Sequence, residues 1–206
     1  MSNLIRGEFY KLRKSRYFIG MIFMAIVASF FLITVWDKDM QRLQKAHSNF
    51  LINGVSSIQY GFEYIIYTSF IFALLGGEFI AKDFKNNNIS KSFSYGYTRS
   101  KVILSKLIVF IIACLFLEII YTTILVIYVS INYGFCEVLN LSAIIYLTRV
   151  IIIGIMYNAA TICIIAMIAM ITKSTFCTFV SPVIFILIQL YFSKIGAYIL
   201  PYRSEE

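Results

Sequence analysis

The sequence predicts an all-α membrane protein: a polytopic bundle of five membrane-spanning helices behind an N-terminal amphipathic surface helix. Of the 206 residues, 60% are hydrophobic and only 14% are charged, against roughly 25% charged residues in soluble domains. The hydrophobic residues gather in five long runs, and a helix needs about 20 apolar residues to cross a bilayer. This excludes a soluble globular protein and a disordered chain. Residues 1–206 are predicted to form a single transmembrane domain.

Residues 1–16 predict a short amphipathic helix on the membrane surface. Ile5, Phe9 and Leu12 recur at helical spacing, while charged residues occupy the remaining faces. Such a helix lies along a bilayer with its basic side chains near anionic headgroups. The alternative interpretation is a simple orientation signal.

Five apolar runs predict the spans. They cover residues 17–36, 60–81, 102–131, 142–171 and 176–192. The third and fourth runs hold 30 residues each. At about 1.5 Å per residue they exceed the hydrocarbon core, so we expect them to tilt or to project beyond it. The first run is too long to be the apolar core of a secretory signal, which has about 7–15 residues.

The distribution of basic residues predicts the orientation. Twelve of the 18 Lys and Arg residues lie on the side of the N-terminus and five on the other side. Because cytoplasmic loops are enriched in Lys and Arg, we expect a cytoplasmic N-terminus and, with five spans, an external C-terminus. The net charge of +8 follows from this bias and does not indicate binding to nucleic acid.

The loop at residues 82–101 is the most polar part of the chain. Three asparagines precede Ile89, and Ile89 and Phe93 are four residues apart, so they share one face of a helix. We therefore predict a two-turn helix with an apolar ridge, too short to be stable alone and suited to a groove on a partner protein. A solvated loop with scattered aromatic residues is the alternative.

These segments resemble a permease subunit of a bacterial ATP-binding-cassette (ABC) exporter of the type-2 class, like the small antibiotic- and lantibiotic-resistance permeases. Residues 7–15 (GEFYKLRKS) are similar to the acidic–aromatic–Lys opening of that family. The loop has the family's acidic residue, Asn-rich turn and short helix, with Asn88-Ile89 where many members have Gly-Thr-Ile. Residues 197–201 (AYILP) are similar to the segment before the family's last span. The family normally has six spans, one more than predicted here.

The resemblance implies partners and roles. Two permease subunits, identical or homologous, would pair in the lipid bilayer, and separate ATPase subunits would dock beneath them and bind ATP-Mg. Residues 89–95 would form the helix that couples ATP hydrolysis to the membrane part. The implied coupling residues are Asp83, Ile89, Lys91, Phe93, Tyr95, Arg99 and Lys106. In the N-terminal connecting helix they are Glu8, Phe9 and Lys11.

The sequence contains no motif typical of a catalytic, nucleotide-binding or metal site. It has no G-x-x-x-x-G-K-[ST] motif to hold phosphates, no H-E-x-x-H and no G-x-S-x-G, the patterns typical of nucleotide, zinc-protease and hydrolase sites. Its four cysteines include no C-x-x-C pair, so neither a disulfide framework nor a metal site is indicated. We predict no catalytic residue, no cofactor and no metal.

Four polar residues within the spans are candidates for a path or an ion pair: Glu63, Glu118, Arg149 and Asn158. Ionisable groups in hydrocarbon are costly and usually functional. Glu118 and Arg149 lie on adjacent antiparallel spans and could pair, and Glu63 is another partner for Arg149. A structural ion pair, a snorkelling arginine and a substrate or gating contact all remain open.

Together these features predict a permease subunit in the bacterial cytoplasmic membrane. The cargo would be an antimicrobial peptide or another amphipathic compound. The alternative is a non-transporting accessory or immunity protein that binds without pumping, and the missing sixth span favours it. A pore is disfavoured because the spans lack regular charged or carbonyl-rich rings.

Overall fold

The computed structural model describes residues 2–46, 54–86, 96–135, 141–184 and 186–187. Helices hold 94% of these residues, and none of them is in a strand, which confirms the predicted all-α class. The helices in chain order are α1 Ser2–Lys14, α2 Arg16–Ala46, α3 Gly54–Glu63, α4 Ile65–Gly76, α5 Lys82–Lys85, α6 Arg99–Tyr133, α7 Leu141–Thr172 and α8 Thr175–Ile184. A π-helical turn, Gly77–Ala81, joins α4 to α5.

Three helices are long and apolar enough to cross a membrane: Arg16–Leu43, Arg99–Tyr133 and Ile144–Thr172. They belong to α2, α6 and α7. The predicted third and fourth spans agree with α6 and α7 to within three residues at each end. The predicted first span stopped at Trp36, whereas α2 continues as a helix to Ala46. A hydropathy pattern marks the apolar part of a helix and misses a polar extension of the same helix.

The predicted second span, 60–81, is not one regular helix. α3 ends at Glu63 and α4 begins at Ile65. At the junction the rings of Tyr60 and Tyr64 stack with their centroids 4.2 Å apart. Their hydroxyls donate hydrogen bonds to Asp39 of α2 at 2.7 and 2.8 Å. This contact with α2 holds the chain where the helix is interrupted.

The predicted fifth span, 176–192, coincides with α8 over its first half. α8 covers Thr175–Ile184, and residues 188–192 lie outside the described part of the chain. α8 lies beside Gly76 of α4, where a Cβ atom would be 3.5 Å from Thr178 Cγ2, an ordinary van der Waals distance. The five-span count is therefore not confirmed, although the all-helical membrane architecture is.

α6 is the central helix of the bundle and contacts α1, α2, α3, α4 and α7. Its sequence is apolar on every side, so hydropathy alone does not reveal which face is buried. The buried stripe is marked by small and polar residues, including Ser105, Ala113, Cys114 and Thr122. Small side chains let helix backbones approach in a membrane, where apolar area gives no preference for protein over lipid.

The apolar core forms two clusters. One contains Leu12, Phe72, Ile80 and Phe110 and lies toward the end of the bundle that carries α1 and α5, called here the α1 end. The other contains Trp36, Tyr121 and Leu125 and lies toward the opposite end. In the second cluster Trp36 meets Tyr60 edge-on, with ring centroids 4.7 Å apart.

The contact between α3 and α7 can be tested at Gly154. A Cβ atom there would lie 2.5 Å from Cγ of Phe62, so Gly154→Ala forces the Phe62 ring to move. We expect the variant to lose about 1–3 kcal/mol of stability, measured as a lower thermal midpoint in detergent. Gly20→Ala on α2 is the control, because a Cβ atom there has no neighbour within 4 Å. An equal or higher midpoint for Gly154→Ala than for Gly20→Ala would contradict this packing.

Candidate functional site

α1 is fixed on the bundle by its apolar face. Leu12 is 3% exposed, and Ile5 and Phe9 pack partly buried against the core. These are the three residues whose spacing predicted the amphipathic helix. With this face packed inward, α1 brings Glu8 and Lys11 toward α6 and α5.

The best-defined polar site is a group of four charged side chains at the α1 end, called here the basal charge cluster: Glu8, Lys11, Asp83 and Lys106. Lys106 is its centre and is 2% exposed. Its Nζ atom lies 2.5 Å from Asp83 Oδ2 and 3.1 Å from Glu8 Oε2. The same ammonium donates to the backbone carbonyl of Phe79 at 3.3 Å and lies 4.4 Å from the centre of the Phe79 ring.

Asp83, on α5, links all three segments of the cluster. It accepts hydrogen bonds from Lys106 of α6 and from Lys11 of α1. Burial acts to raise the pKa of its carboxyl, but the charge and hydrogen bond of Lys106, and then those of Lys11, outweigh burial and lower the pKa below its usual 3.8. With two acidic and two basic side chains, the cluster has no net charge. Each buried charge in it therefore has an oppositely charged partner, without which burial would be strongly destabilising.

The π-helical turn places Asp83 and Phe79. A π-turn inserts one residue into a helix, which rotates the following residues by about 100° relative to an uninterrupted α-helix. Gly77 allows this turn to lie against α8, since a Cβ atom there would be 3.3 Å from the carbonyl oxygen of Thr175. The turn therefore directs one face of its helix toward Lys106 and the other toward α8.

The remaining residues assigned to coupling are described in part. Arg99 is exposed and is the first residue of α6. Phe9 packs against the core, as above, and is not a member of the charge cluster. Ile89, Lys91, Phe93 and Tyr95 lie outside the described residues.

Sequence reasoning did not identify two features beside the cluster. No sequence pattern indicates that the carbonyl and ring of Phe79 contact the ammonium of Lys106. Lys82 Nζ pairs with Glu78 Oε2 at 2.8 Å and lies 5.0 Å from the centre of the Tyr17 ring. The four-residue spacing of Glu78 and Lys82 is typical of a helical ion pair and could have indicated it.

In the middle of the bundle, Glu118 has Thr68 and Asn158 as polar neighbours, and both Glu118 and Asn158 are buried. The suggested pair of Glu118 with Arg149 is not formed. Arg149 is exposed and lines a separate groove with Tyr146 and Tyr157. It lies nine residues before Asn158 on α7, about 14 Å along the helix. The Glu63 side chain is not among those described, so its pairing with Arg149 stays a prediction.

The chain matches the family described as ABC-2 family transporter protein over residues 4–196. It belongs to this family. Comparisons with curated proteins and with solved structures give no match. The matched region includes all four residues of the basal charge cluster, and the family assignment agrees with the resemblance found in the sequence.

Membership of the ABC-2 transporter family establishes a multi-pass membrane permease of the ABC type, a class that works with an ABC ATPase. Among the described residues of this permease, no group of three or more His, Cys, Asp or Glu side chains could hold a metal ion. The buried and connected polar groups at the α1 end form ion pairs.

Removing the central charge should destabilise the permease. Lys106→Met leaves Asp83 and Glu8 without their shared cation, and breaking a buried pair costs about 3–5 kcal/mol. We expect a loss of this size in the free energy of unfolding, measured by SDS titration in bicelles. Lys82→Met is the matched control: its side chain is 44% exposed, and we expect no resolvable change. Equal effects of the two substitutions would contradict a central role for Lys106.

The cluster should also make stability depend on pH. Because the folded pKa of Asp83 is depressed, its stabilising contribution is complete above the ordinary carboxyl pKa and is lost as the pH falls through 3.8 and below. We expect the thermal midpoint of the wild type to fall more steeply between pH 5 and pH 3 than that of Asp83→Asn. Parallel curves for the two proteins would exclude this contribution of Asp83.

Proposed function

We propose that this chain is the membrane-spanning subunit of an ABC exporter, and that the basal charge cluster transmits movement of a separate ATPase subunit to the spans. The observation that supports the proposal is that four charged side chains join three separate segments: α1, the stretch that ends in α5, and α6. α5 lies at the start of residues 82–101, the loop predicted to meet the ATPase, and α6 begins at its end.

The proposed mechanism depends on the position of the cluster at both ends of that loop. Asp83 lies where the loop begins and Lys106 lies in the second turn of α6, where the loop has ended. A displacement of the loop by an ATPase subunit would act on both residues. Because separating them would leave a buried charge unpaired, α5, α6 and α1 would move as one unit.

The orientation follows from the same assignment. The α1 end would face the cytoplasm, in agreement with the excess of Lys and Arg on that side of the predicted spans. The protein would reside in the bacterial cytoplasmic membrane, pair with an identical or homologous permease and leave ATP-Mg binding and hydrolysis to the ATPase chain. No catalytic site of its own is proposed.

The predicted coupling helix can be tested at Phe93. Phe93→Asp places a charge on its apolar ridge, so we expect at least a tenfold loss of ATPase subunit co-purified with the permease from bacterial membranes. Tyr133→Asp is the matched control, an exposed aromatic residue at the opposite end of the bundle, and should retain the ATPase. Expression and gel-filtration behaviour of both variants should equal the wild type.

The transport readout separates the proposal from its alternative. We propose an antimicrobial peptide or another amphipathic compound as cargo, so cells that express permease and ATPase should tolerate a higher peptide concentration than cells with Phe93→Asp. Protection that persists without ATPase binding would instead identify a non-transporting immunity protein. An ATPase that co-purifies equally with Phe93→Asp would contradict the coupling assignment.

A further inference from the structure

A groove of about 410 Å³ lies between α3, α6 and α7. Its walls are mainly apolar and include Ile119, Ile127, Ile151 and Ile155, which are all exposed on the surface of the described bundle. This volume lies within the range of about 300–1,000 Å³ found for small-molecule sites. Since these walls belong to helices of the membrane part, the groove is open to compounds dissolved in the bilayer.

The groove is distinguished from an ordinary lipid-facing surface by an acidic residue, Glu118, among its lining residues. Glu118 lines the groove and is 1% exposed. Within the described residues, neither of its carboxyl oxygens has a hydrogen-bond partner, and the same is true of both polar side-chain atoms of Asn158. Buried polar groups in folded proteins are nearly always hydrogen-bonded. A buried carboxyl that forms no hydrogen bond of good geometry with its neighbours Thr68 and Asn158 therefore requires an explanation.

The described part of the chain offers no cation to this carboxyl. No Lys or Arg side chain described in the structure lies within 4.0 Å of Glu118, and Arg149 belongs to a different groove. The partner that would complement the Glu118 carboxyl is a positively charged hydrogen-bond donor. The apolar walls of the groove add a requirement for a hydrophobic body.

We propose that the groove binds a lipophilic amine, whose apolar part fills the space between α3, α6 and α7 and whose ammonium group donates to Glu118. Thr122 and Thr123, which also line the groove, supply hydroxyl oxygens as further acceptors. Binding of this kind requires neither an ATPase nor transport, so it is independent of the proposed export function.

The proposal can be tested by photo-crosslinking on the full chain in phosphatidylcholine nanodiscs. The probe is dodecylamine with a diazirine on its chain, and the matched probe is dodecanesulfonate with the same diazirine. We expect the amine to label peptides of α6 and α7 that line the groove, with an apparent affinity at least tenfold higher than that of the sulfonate. Mass spectrometry of the digested protein locates the labelled residues.

Two variants address the two halves of the site. Glu118→Gln replaces a charge-assisted hydrogen bond by a neutral one and should weaken amine labelling about tenfold. Ile151→Trp keeps the carboxyl but fills the groove and should abolish labelling. Gel filtration and far-UV circular dichroism check folding, and if Glu118→Gln does not fold, Ile151→Trp and the comparison of the two probes still decide.

Two results would overturn the proposal. Equal labelling of the groove by amine and sulfonate would identify a surface that contacts lipid chains without selecting a head group. Absence of labelling by either probe, together with crosslinks between two copies of the chain through α6 or α7, would show that the groove is a subunit interface.

Discussion

The buried ammonium of Lys106 is the constraint on which the arrangement of the α1 end depends. Its side chain is 3% exposed and is shared by Asp83 and Glu8, while Asp83 also holds Lys11. A charge removed from water is tolerated only with partners at hydrogen-bond distance. The positions of α1, α5 and α6 are therefore not independent, because each helix supplies a charged side chain that pairs with one on another helix.

Polar contacts of this kind matter more in a membrane, where burying apolar area against a neighbouring helix gives little advantage over lipid. The opposite end of the bundle is held in the same manner. Asp39 of α2 accepts from Tyr60 and Tyr64, and Asp37 accepts from Tyr128 of α6 at 2.9 Å. α6 is thus fixed near both of its ends by contacts with acidic side chains. Between these ends, small residues allow the neighbouring helices to pack closely against it.

Hydropathy was sufficient to find α6 and α7, and the resemblance to the permease family named all four members of the charge cluster, but neither showed that the four residues meet. Motifs identify which residue types stand at which positions. The distances between those side chains depend on the π-turn and on how α1 packs on the bundle, and no periodicity in the sequence predicts either. The break at Tyr64 was missed because no Pro lies there and Gly61, three residues earlier, is itself inside the helix α3. The pairing of Glu118 with Arg149 failed for a related reason, since assignment to neighbouring spans says nothing of depth along them.

Lys106 and Glu118 differ in whether the described bundle supplies partners for their charged groups. Both lie on the buried stripe of α6 and both are nearly inaccessible. Lys106 has two carboxylates, whereas both carboxyl oxygens of Glu118 lack a hydrogen-bond partner among the described residues. A hydrophobic residue at 118 would pack α6 without that deficit. In the site proposed above, an ammonium group that reaches Glu118 from the membrane supplies the missing hydrogen-bond donor.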